Sequence, residues 1–337
     1  QEALVENLLV CCRNSEFAAE AASRGITTLE LPMHGDLDLL FPVRLMLAIR
    51  RFDPDLVHVH SRRGADVWGG LAARLAGVRA VTTRRVDNPE NPVAARVKYR
   101  LFARVVTISQ GIADVLLSQG VPGQKLVCVH SAVQADRFMT ECDQEWFKDQ
   151  YDLSPDAQAV GMIAQLIPRK GHQVLLQAIP EILEVCPRAR FLLFGRGPLL
   201  ESLQTSVHEM GLDGVITFAG FRHDLPHILP CLSLLVHPAS MEGLGVSLLQ
   251  GAASCLPIVS TPVGGIPEIV RHGHNGTLIP VQDHHVLAEA VIELLQDPQK
   301  SLSFGRNGRA LVQREFSVQS MVRGNLAVYR DVLRDGV

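Results

Sequence analysis

The chain has 337 residues, of which 47% are apolar and 20% are charged, a composition that indicates a globular protein and excludes a disordered one. Its length exceeds what one ordinary hydrophobic core needs and predicts two domains. No apolar run approaches the roughly 20 residues that span a bilayer, and the start lacks the regions of a secretory signal, so we expect a cytoplasmic protein.

The charge distribution bears on the possible partners of the protein, and the cysteine content bears on whether it contains disulfides. The net charge is −3, yet residues 41–110 contain twelve Arg and Lys98 against five acids, about +8 in total. This excess suits either an anionic partner, such as a membrane surface, or a solvated Arg-rich face, and no nucleic-acid-binding motif accompanies it. Seven cysteines, an odd number without a Cys-x-x-Cys pair, argue against a disulfide framework and predict reduced thiols.

Short β-branched runs alternate with helical patterns along the whole chain, which predicts parallel α/β layers. A β-like run near Leu8–Arg13 opens the first half. The strands predicted next are Leu56–His60, Ala80–Thr83, Val105–Ser109 and Lys125–His130. The helices predicted among them are Pro42–Phe52, Asp66–Ala76, Pro92–Ala103 and Gly111–Gln119.

A charged helical stretch, Asp143–Tyr151, separates two α/β series. We therefore place one domain at residues 1–137, a second at 138–317, and a C-terminal helix at 318–337. The strands predicted in the second series are Ala159–Ile163, Phe191–Phe194, Val215–Phe218, Leu232–His237, Pro257–Ser260 and Thr277–Ile279. The helices predicted there are His172–Val185, Leu199–Met210, Leu225–Pro230, Gly245–Ser254, His284–Gln296, Leu302–Arg314 and Val318–Leu333.

The stretch Ser240–Ile269 carries the strongest signal for chemistry. Glu242 precedes Gly243 and Gly245, and an apolar helical run follows. A Gly-x-Gly turn that opens a helix leaves backbone N–H groups bare at the positive end of the helix dipole, where phosphate binds. A neighbouring carboxylate suits hydroxyl groups, such as those of a sugar. Together they describe a nucleotide-sugar site, although the glycines alone would also fit an ordinary strand–turn–helix unit.

This stretch resembles the signature of retaining glycosyltransferases of family 4, which have the GT-B fold. In that signature a Glu, seven residues and a second Glu bracket a helix start, and Gly-Gly-x-Pro-Glu follows. Here Glu242 is the first Glu, Gln250 replaces the second, and Gly264–Glu268 supplies the later segment. The resemblance runs from Leu8 to the end of the chain. It implies two doubly wound Rossmann-like domains facing across a cleft, with the final helix crossing back onto the first domain.

The resemblance also implies the donor site. Lys170 lies at a strand-to-helix turn and matches a Lys that holds the donor diphosphate. The Gly-x-Gly-Pro segment that begins at Gly195 and the segment Phe218–Asp224 match parts that surround the nucleoside. The implied catalytic residues are Lys170 and Glu242. The implied donor-binding residues are Gln165, Arg169, Gly195, Gly197, Arg222, Gly243, Leu244, Gly245 and Gln250.

Two neutral residues stand where the family has charges. Gln165 replaces an Arg five residues before Lys170, and Arg169 is the nearby charge that would substitute for it. Gln250 replaces the second Glu and keeps only one acceptor oxygen. Hydrogen bonds to charged groups contribute about 1.5–3 kcal/mol and neutral ones about 1 kcal/mol, so we expect weaker donor binding rather than its loss.

The acceptor side is implied by the first domain. Asp55, His58 and His60 match the family's Asp-x-x-His-x-His segment, and His60 would point toward the cleft mouth. The family's acceptor-side His falls on Arg85, so Arg84 and Arg85 would meet an anionic acceptor, such as a phosphate. The alternative is that both arginines face solvent.

The sequence predicts neither a metal nor a cofactor. Asp36-Leu37-Asp38 is similar to the metal-binding Asp-x-Asp of GT-A enzymes, but its place ahead of an apolar helix suits capping, and the GT-B pattern needs no metal. The pair His58 and His60 lacks a third ligand nearby in sequence. The expected donor is a nucleotide sugar, with a UDP-sugar as first choice, although the sequence does not show which base is bound.

The start of the chain differs from the family, which opens with a strand, a Gly-Gly loop and a helix. Residues 1–9 leave room for at most part of a helix, so we expect that first strand and loop to be absent.

The predicted function is transfer of a sugar from a nucleotide sugar to a saccharide or lipid-linked acceptor, as in cell-envelope polysaccharide synthesis. The basic first domain would contact an anionic membrane at its inner face. Two alternatives remain open: a phosphorylase or epimerase of the same fold, and a degenerate nucleotide-sugar-binding protein.

Overall fold

The computed structural model describes residues 5–13, 15–35, 38–60 and 64–334, and its first half contains two parallel sheets. The smaller sheet pairs β1 (Leu9–Cys12) with β2 (Thr28–Leu31). The larger sheet has the order β3 (Leu56–Val59), β4 (Arg79–Arg84), β5 (Arg104–Thr107) and β6 (Leu126–Cys128). The helices of this half are α1 (Glu16–Ser23), α2 (Phe41–Phe52), α3 (Ala65–Ala76), α4 (Pro92–Tyr99) and α5 (Gln110–Ser118).

The second half is built on one parallel six-stranded sheet. Its order is β12 (Gly276–Leu278), β11 (Ile258–Ser260), β10 (Leu234–His237), β7 (Gln158–Ile163), β8 (Ala189–Phe194) and β9 (Ile216–Gly220). The order reverses direction between β10 and β7, and ligands of open α/β sheets bind at the carboxyl ends of the strands beside such a reversal. The helices are α6 (Gln144–Tyr151), α7 (His172–Val185), α8 (Leu200–Glu209), α9 (Leu225–Ile228), α10 (Val246–Ala253), α11 (Ile266–Ile269), α12 (His284–Gln296), α13 (Pro298–Glu315) and α14 (Val318–Arg334).

The predicted α/β class with parallel sheets is confirmed, and the predicted elements differ from the observed ones mainly at their ends. Helix α13 starts four residues earlier than predicted because Pro298 occupies its first turn and the Asp297 side chain accepts a hydrogen bond from the N–H of Lys300. The elements that were not predicted are α1, β2 and the short helix α11. Helix α1 is nonetheless signalled by Ser15, whose side chain caps it.

Buried residues join the two halves into continuous cores. Ile108 and Ile112 of the first half share one core cluster with Leu244 and Ile266 of the second. At the other end, α14 packs its Val328 and Val332 against Val81, Val106 and Val129 of the first-half sheet. The last helix therefore lies on the first half, whereas the residue bounds of the domains stay a prediction.

One disulfide contradicts the prediction that all cysteines are reduced. Cys142 and Cys231 are bonded, with their Cα atoms 5.0 Å apart, although 89 residues separate them in sequence. Cysteine spacing in a sequence carries no information about such long-range pairing, so the prediction failed at this pair. The free cysteines are Cys11, Cys12, Cys128, Cys186 and Cys255.

Among the helices described, none has both the length and the apolar character to cross a membrane.

Candidate active site

A cavity of about 430 Å³ lies between the two halves, at the carboxyl end of β7 and the start of α10. Its walls contain residues from both halves. They are Arg85, Ile108, Ile163, Ala164, Gln165, Lys170, Glu242, Leu244, Gly245, Val246 and Ser247. The sequence analysis assigns six of these to the site, namely Arg85, Gln165, Lys170, Glu242, Leu244 and Gly245.

Lys170 and Glu242 form an ion pair in this cavity, from Lys170 Nζ to Glu242 Oε2. Lys170 ends a short 3-10 turn that connects β7 to α7, and the residue is only 8% exposed. Gly171 follows with φ of 79°, and a Cβ there would collide with the carbonyl oxygen of Pro238, so the turn requires glycine. A charge buried this deeply needs a partner of opposite sign, which Glu242 supplies.

Glu242 has a second partner, His237. The two side chains are 2.9 Å apart, from Nε2 to Oε2. Burial alone would raise the pKa of Glu242, but the hydrogen bond from His237 and the charge of Lys170 outweigh it and lower the pKa to about 2. Glu242 is therefore an ionised acceptor of hydrogen bonds at neutral pH, and it is unsuited to act as a general acid.

His237 contacts the site through Glu242 and was not assigned to it from the sequence. It is the last residue of β10 and is 1% exposed. Its signal was present in the sequence, because a polar residue at the carboxyl end of a buried parallel strand lies at the edge where ligands bind. A second buried histidine, His172, is 2% exposed, and burial followed by the nearby charges of His237 and Lys170 lowers its pKa to about 4.

The start of α10 forms another wall of the cavity. Gly245 adopts φ of 94° and precedes the helix without any side-chain cap, and Val246 and Ser247 follow it along the wall. The first N–H groups of a helix have no partner within the helix, so this wall offers donors and a positive dipole end to an anion.

The segment Gly264–Glu268 joins the two halves and does not line the cavity. A Cβ at Gly264 would collide with the carbonyl oxygen of Glu242. Glu268 accepts hydrogen bonds from the N–H groups of Gln110 and Gly111, at 2.9 and 3.2 Å, where α5 begins. Predicted donor residue Gly243 also lies at this interface, since its carbonyl accepts a hydrogen bond of 2.6 Å from the Ser109 hydroxyl.

Other predicted donor residues lie outside the cavity walls. Gly195 and Gly197 have no room for a side chain, because a Cβ at either would collide with the carbonyl oxygens of Ala164 and Leu166, respectively. The loop after β8 therefore packs directly against the loop after β7 at these two glycines. Gln250 lies on α10, one turn after Val246 and Ser247, and is not among the residues that line the cavity.

Two predicted cations of the donor site are engaged elsewhere. Arg169 reaches across to the first half, 3.6 Å from an oxygen of Asp87 and 3.4 Å from one of Asn88. Arg222 forms two hydrogen bonds, of 2.8 and 2.5 Å, with Asp224, and it lines a separate cavity of about 530 Å³. Of the three predicted donor-side cations, Lys170 therefore lines the 430 Å³ cavity, whereas Arg169 and Arg222 do not.

On the acceptor side the prediction for Arg84 is wrong. Arg84 is 4% exposed and donates to Glu90 and to the carbonyl oxygens of Val86 and Asn88, so all three of its guanidinium nitrogens are engaged within the protein. Its neighbour Arg85 lines the cavity. Strand alternation sends adjacent side chains to opposite faces, which separates the two arginines.

His60 follows β3 and is an exposed residue as a whole, but its ring packs against that of His58, with the two ring centroids 3.9 Å apart. Partial burial of the ring and the charge of Arg85 lower the pKa of His60 to about 4. Asp38 caps the approach to α2, because its carboxylate accepts hydrogen bonds from the N–H groups of Leu40 and Phe41. Asp36 lies outside the described residues.

The protein has two α/β halves with a cavity between them, and this cavity contains an uncapped helix start and a buried Lys–Glu pair. Together these features define a GT-B type enzyme of group transfer. Two family models match adjacent parts of the chain: Glycosyltransferase Family 4 over residues 3–137, and Glycosyl transferases group 1 over residues 157–297. The chain belongs to glycosyltransferase family 4, and it is a retaining glycosyltransferase.

Individual relatives agree with this. The chain is 30% identical over 269 residues, 72% of its length and 70% of the relative's, to a GDP-mannose-dependent α-(1-6)-phosphatidylinositol monomannoside mannosyltransferase of Mycolicibacterium smegmatis. It is 25% identical over 307 residues, 88% of its length and 80% of the relative's, to the N-acetyl-α-D-glucosaminyl L-malate synthase of Bacillus anthracis.

Solved structures share the fold. HepE of Anabaena in complex with UDP aligns with a TM-score of 0.85 at 20% identity, covering 96% of this chain and 91% of that one. A glycosyltransferase from Rickettsia africae aligns with a TM-score of 0.87 at 18% identity, covering 98% of this chain and 90% of that one. The predicted GT-B fold is thereby confirmed.

Proposed function

We propose that this glycosyltransferase moves a hexosyl unit from a UDP-sugar to a saccharide or lipid-linked acceptor without a metal ion. The observation that carries the proposal is the buried pair of Lys170 and Glu242 beside the uncapped start of α10. One wall supplies positive charge for a diphosphate, and the carboxylate supplies acceptors for sugar hydroxyls.

In the proposed mechanism the diphosphate draws Lys170 away from Glu242 and lies against the N–H groups of Val246 and Ser247. Negative charge that grows on the leaving diphosphate is then stabilised by groups already in place, and such stabilisation commonly contributes more to catalysis than any other effect. Glu242 holds hydroxyls of the donor sugar. The acceptor hydroxyl enters past Arg85 and attacks from the side of the leaving group. Its oxygen bonds to the transferred carbon as the bond from that carbon to the diphosphate oxygen breaks, and its proton passes to the departing diphosphate, so the configuration at the transferred carbon is retained.

Metal independence is supported by the same wall. A lysine side chain and a helix start provide the charge that a divalent cation provides in metal-dependent transferases. Among the cavity-lining residues described, the acidic side chain is that of Glu242. Its carboxylate already contacts Lys170 and His237. A test is activity after exhaustive treatment with EDTA, and a loss that Mg²⁺ or Mn²⁺ restores would contradict the proposal.

The base of the donor is proposed to be uracil, because the similar structure of HepE contains UDP. The alternative base is guanine, because the relative from M. smegmatis is GDP-mannose-dependent. Phe221, 52% exposed, offers an open aromatic face near the predicted base position, and the guanidinium of Arg196 lies 5.5 Å from its centroid.

The acceptor side is proposed to contact an anionic membrane through α2 and the turn before it. Four apolar residues there expose between 45% and 72% of their surface, namely Leu39, Leu40, Val43 and Leu47. Arg50 and Arg51 lie in the last turn of α2. Apolar side chains flanked by arginines suit an interface with acidic lipid. Sedimentation with acidic-lipid vesicles should fall for Leu40→Asp and stay unchanged for Leu302→Asp, an exposed leucine on α13.

The experiment that tests the function is a thermal-shift screen with UDP, GDP and ADP, followed by transfer assays with their sugars. A ligand at about 100 times its dissociation constant adds about 2.7 kcal/mol to the free energy of unfolding. Lys170→Ala should abolish the shift, whereas Lys300→Ala, which removes a surface pair with Glu293, should keep it. A shift that survives in Lys170→Ala would refute the assigned diphosphate site.

A further inference from the structure

Glu242 Oε2 lies between two donors of different character. Lys170 approaches from the turn after β7, on a long side chain with four rotatable bonds. His237 approaches from the end of β10, with its Nε2 at 2.9 Å and 1% of its surface exposed. The proposed donor diphosphate competes with Glu242 for one of these partners only.

The protonation of His237 is consistent with this geometry. Burial lowers the pKa of His237, so the ring is neutral at physiological pH. A neutral imidazole has one N–H, and the short contact with a carboxylate places it on Nε2. The other nitrogen, Nδ1, is buried without a hydrogen-bond partner among the described residues, as expected for the nitrogen that carries no proton.

His237 is also fixed by its backbone. It pairs with Ser260 of β11 within the six-stranded sheet, and its carbonyl oxygen accepts a hydrogen bond of 2.7 Å from the Ser260 hydroxyl. The imidazole therefore starts from a rigid strand end and has two rotatable bonds, whereas the Lys170 amine can swing toward a ligand.

We propose that His237 is a positioning residue that keeps the Glu242 carboxylate turned into the cavity while the donor diphosphate occupies Lys170. This inference rests on the proposed function of Lys170 and Glu242. Without His237, a bound donor would leave Glu242 Oε2 with no side-chain donor, and the N–H of Gly243, 3.1 Å from Oε1, and the sugar hydroxyls alone would hold the carboxylate, which costs stability in a buried charge. Lys170 would then stay with Glu242, and the donor would bind with fewer contacts.

The competing explanation is that His237 only fills space in the core. That role predicts a less stable protein whose folded fraction binds donor normally. His172 provides a matched control, because it is equally buried, at 2% exposure, and its two ring nitrogens have no hydrogen-bond partner among the described residues. His172→Leu removes a buried imidazole that has no hydrogen-bond partner among the described residues, and it should leave the donor KM unchanged whatever its effect on the melting temperature.

The test compares His237→Leu with His237→Gln, since the Gln amide nitrogen can replace Nε2–H as a donor. The transfer assay at saturating acceptor gives donor KM and kcat, and the melting temperature is measured beside it. We expect His237→Leu to lower kcat/KM for the donor about tenfold or more, and His237→Gln to recover most of that loss. An unchanged kcat/KM in His237→Leu, or no recovery in a stable His237→Gln, would overturn the proposal.

A double-mutant cycle covers the case in which His237→Leu folds poorly. His237→Phe keeps a planar ring and removes the N–H donor, and in a Glu242→Gln background it should lower kcat/KM for the donor less than it does in the wild type, because the two residues act as a unit. Lys170→Ala separates this inference from the proposed function. If Lys170→Ala weakens donor binding and the His237 variants do not, only the inference fails; if Lys170→Ala has no effect, the assigned diphosphate site fails.

Discussion

Glu268 Oε2 lies 2.6 Å from His130 Nε2, and this contact joins the two halves of the protein. The same carboxylate accepts hydrogen bonds from the first two N–H groups of α5. Glu268 thus acts as an N-terminal cap supplied by the other half, where a negative charge also meets the positive end of the helix dipole. The Pro-Glu end of the family signature therefore holds the two halves together.

This ion pair predicts a specific dependence of stability on pH. Hydrogen bonds with Cys128 and Glu268 raise the pKa of His130 from 6.5 to about 10. A raised pKa gives stabilisation that is complete below pH 6.5 and disappears as the pH rises toward 10. Although burial opposes it, the hydrogen bonds of Glu268 lower its pKa below 4.5, so its contribution is present above pH 4.5 and is lost in acid.

Glu268→Gln should therefore lower the free energy of unfolding by about 1.5 kcal/mol near pH 6, and by less at pH 10. Melting temperatures of the two proteins across pH 6–10 measure this difference. Glu293→Gln, which removes an exposed pair with Lys300, serves as the control and should show a smaller effect. A gap that widens toward pH 10 would contradict the assignment.

Gly264 predicts a coupling between the interface and the site. Its φ is 54°, and a Cβ would collide with the carbonyl oxygen of Glu242. Gly273 has a similar φ of 72° but open space around the Cβ position. Alanine at either position carries the strain of a left-handed conformation, about 1–2 kcal/mol. Gly264→Ala should in addition displace Glu242 and reduce transfer activity at temperatures where both variants are folded, which steady-state assays would show.

The sequence could predict the site as far as local spacing carries information. Lys170 and Glu242 were assigned from their motifs, and the structure places both in one cavity. Their mutual ion pair was not predicted, because no local pattern links residues 72 positions apart. Arg84 was assigned wrongly because the register of β4, which buries one arginine and leaves its neighbour in the cavity, is fixed by tertiary packing.

The disulfide gives a prediction about stability. Cys142 and Cys231 close a loop of 89 residues, and a cross-link of that length removes conformational entropy from the unfolded chain, stabilising by about 2–5 kcal/mol. A reducing agent should lower the melting temperature of the wild type and leave the Cys142→Ser/Cys231→Ser variant unchanged. Thiol titration of the denatured, non-reduced protein should find the five free cysteines. Seven free thiols would show that the bond does not form in solution.

The neutral residue at Gln165 predicts a gain of function. Gln165 is exposed and lines the cavity that contains Lys170, so a side chain placed there reaches the proposed diphosphate site. An arginine would add a second positive charge and a bidentate donor for phosphate. Because charged hydrogen bonds exceed neutral ones by roughly 0.5–2 kcal/mol, the donor KM of Gln165→Arg should fall by about threefold or more. Gln144→Arg, which adds the same charge on exposed α6, controls for net charge. Donor titrations at low and high salt would distinguish a contact with the diphosphate from an effect of overall charge. A gain that Gln144→Arg reproduces, or that salt abolishes entirely, would reflect the overall charge of the protein and contradict the contact.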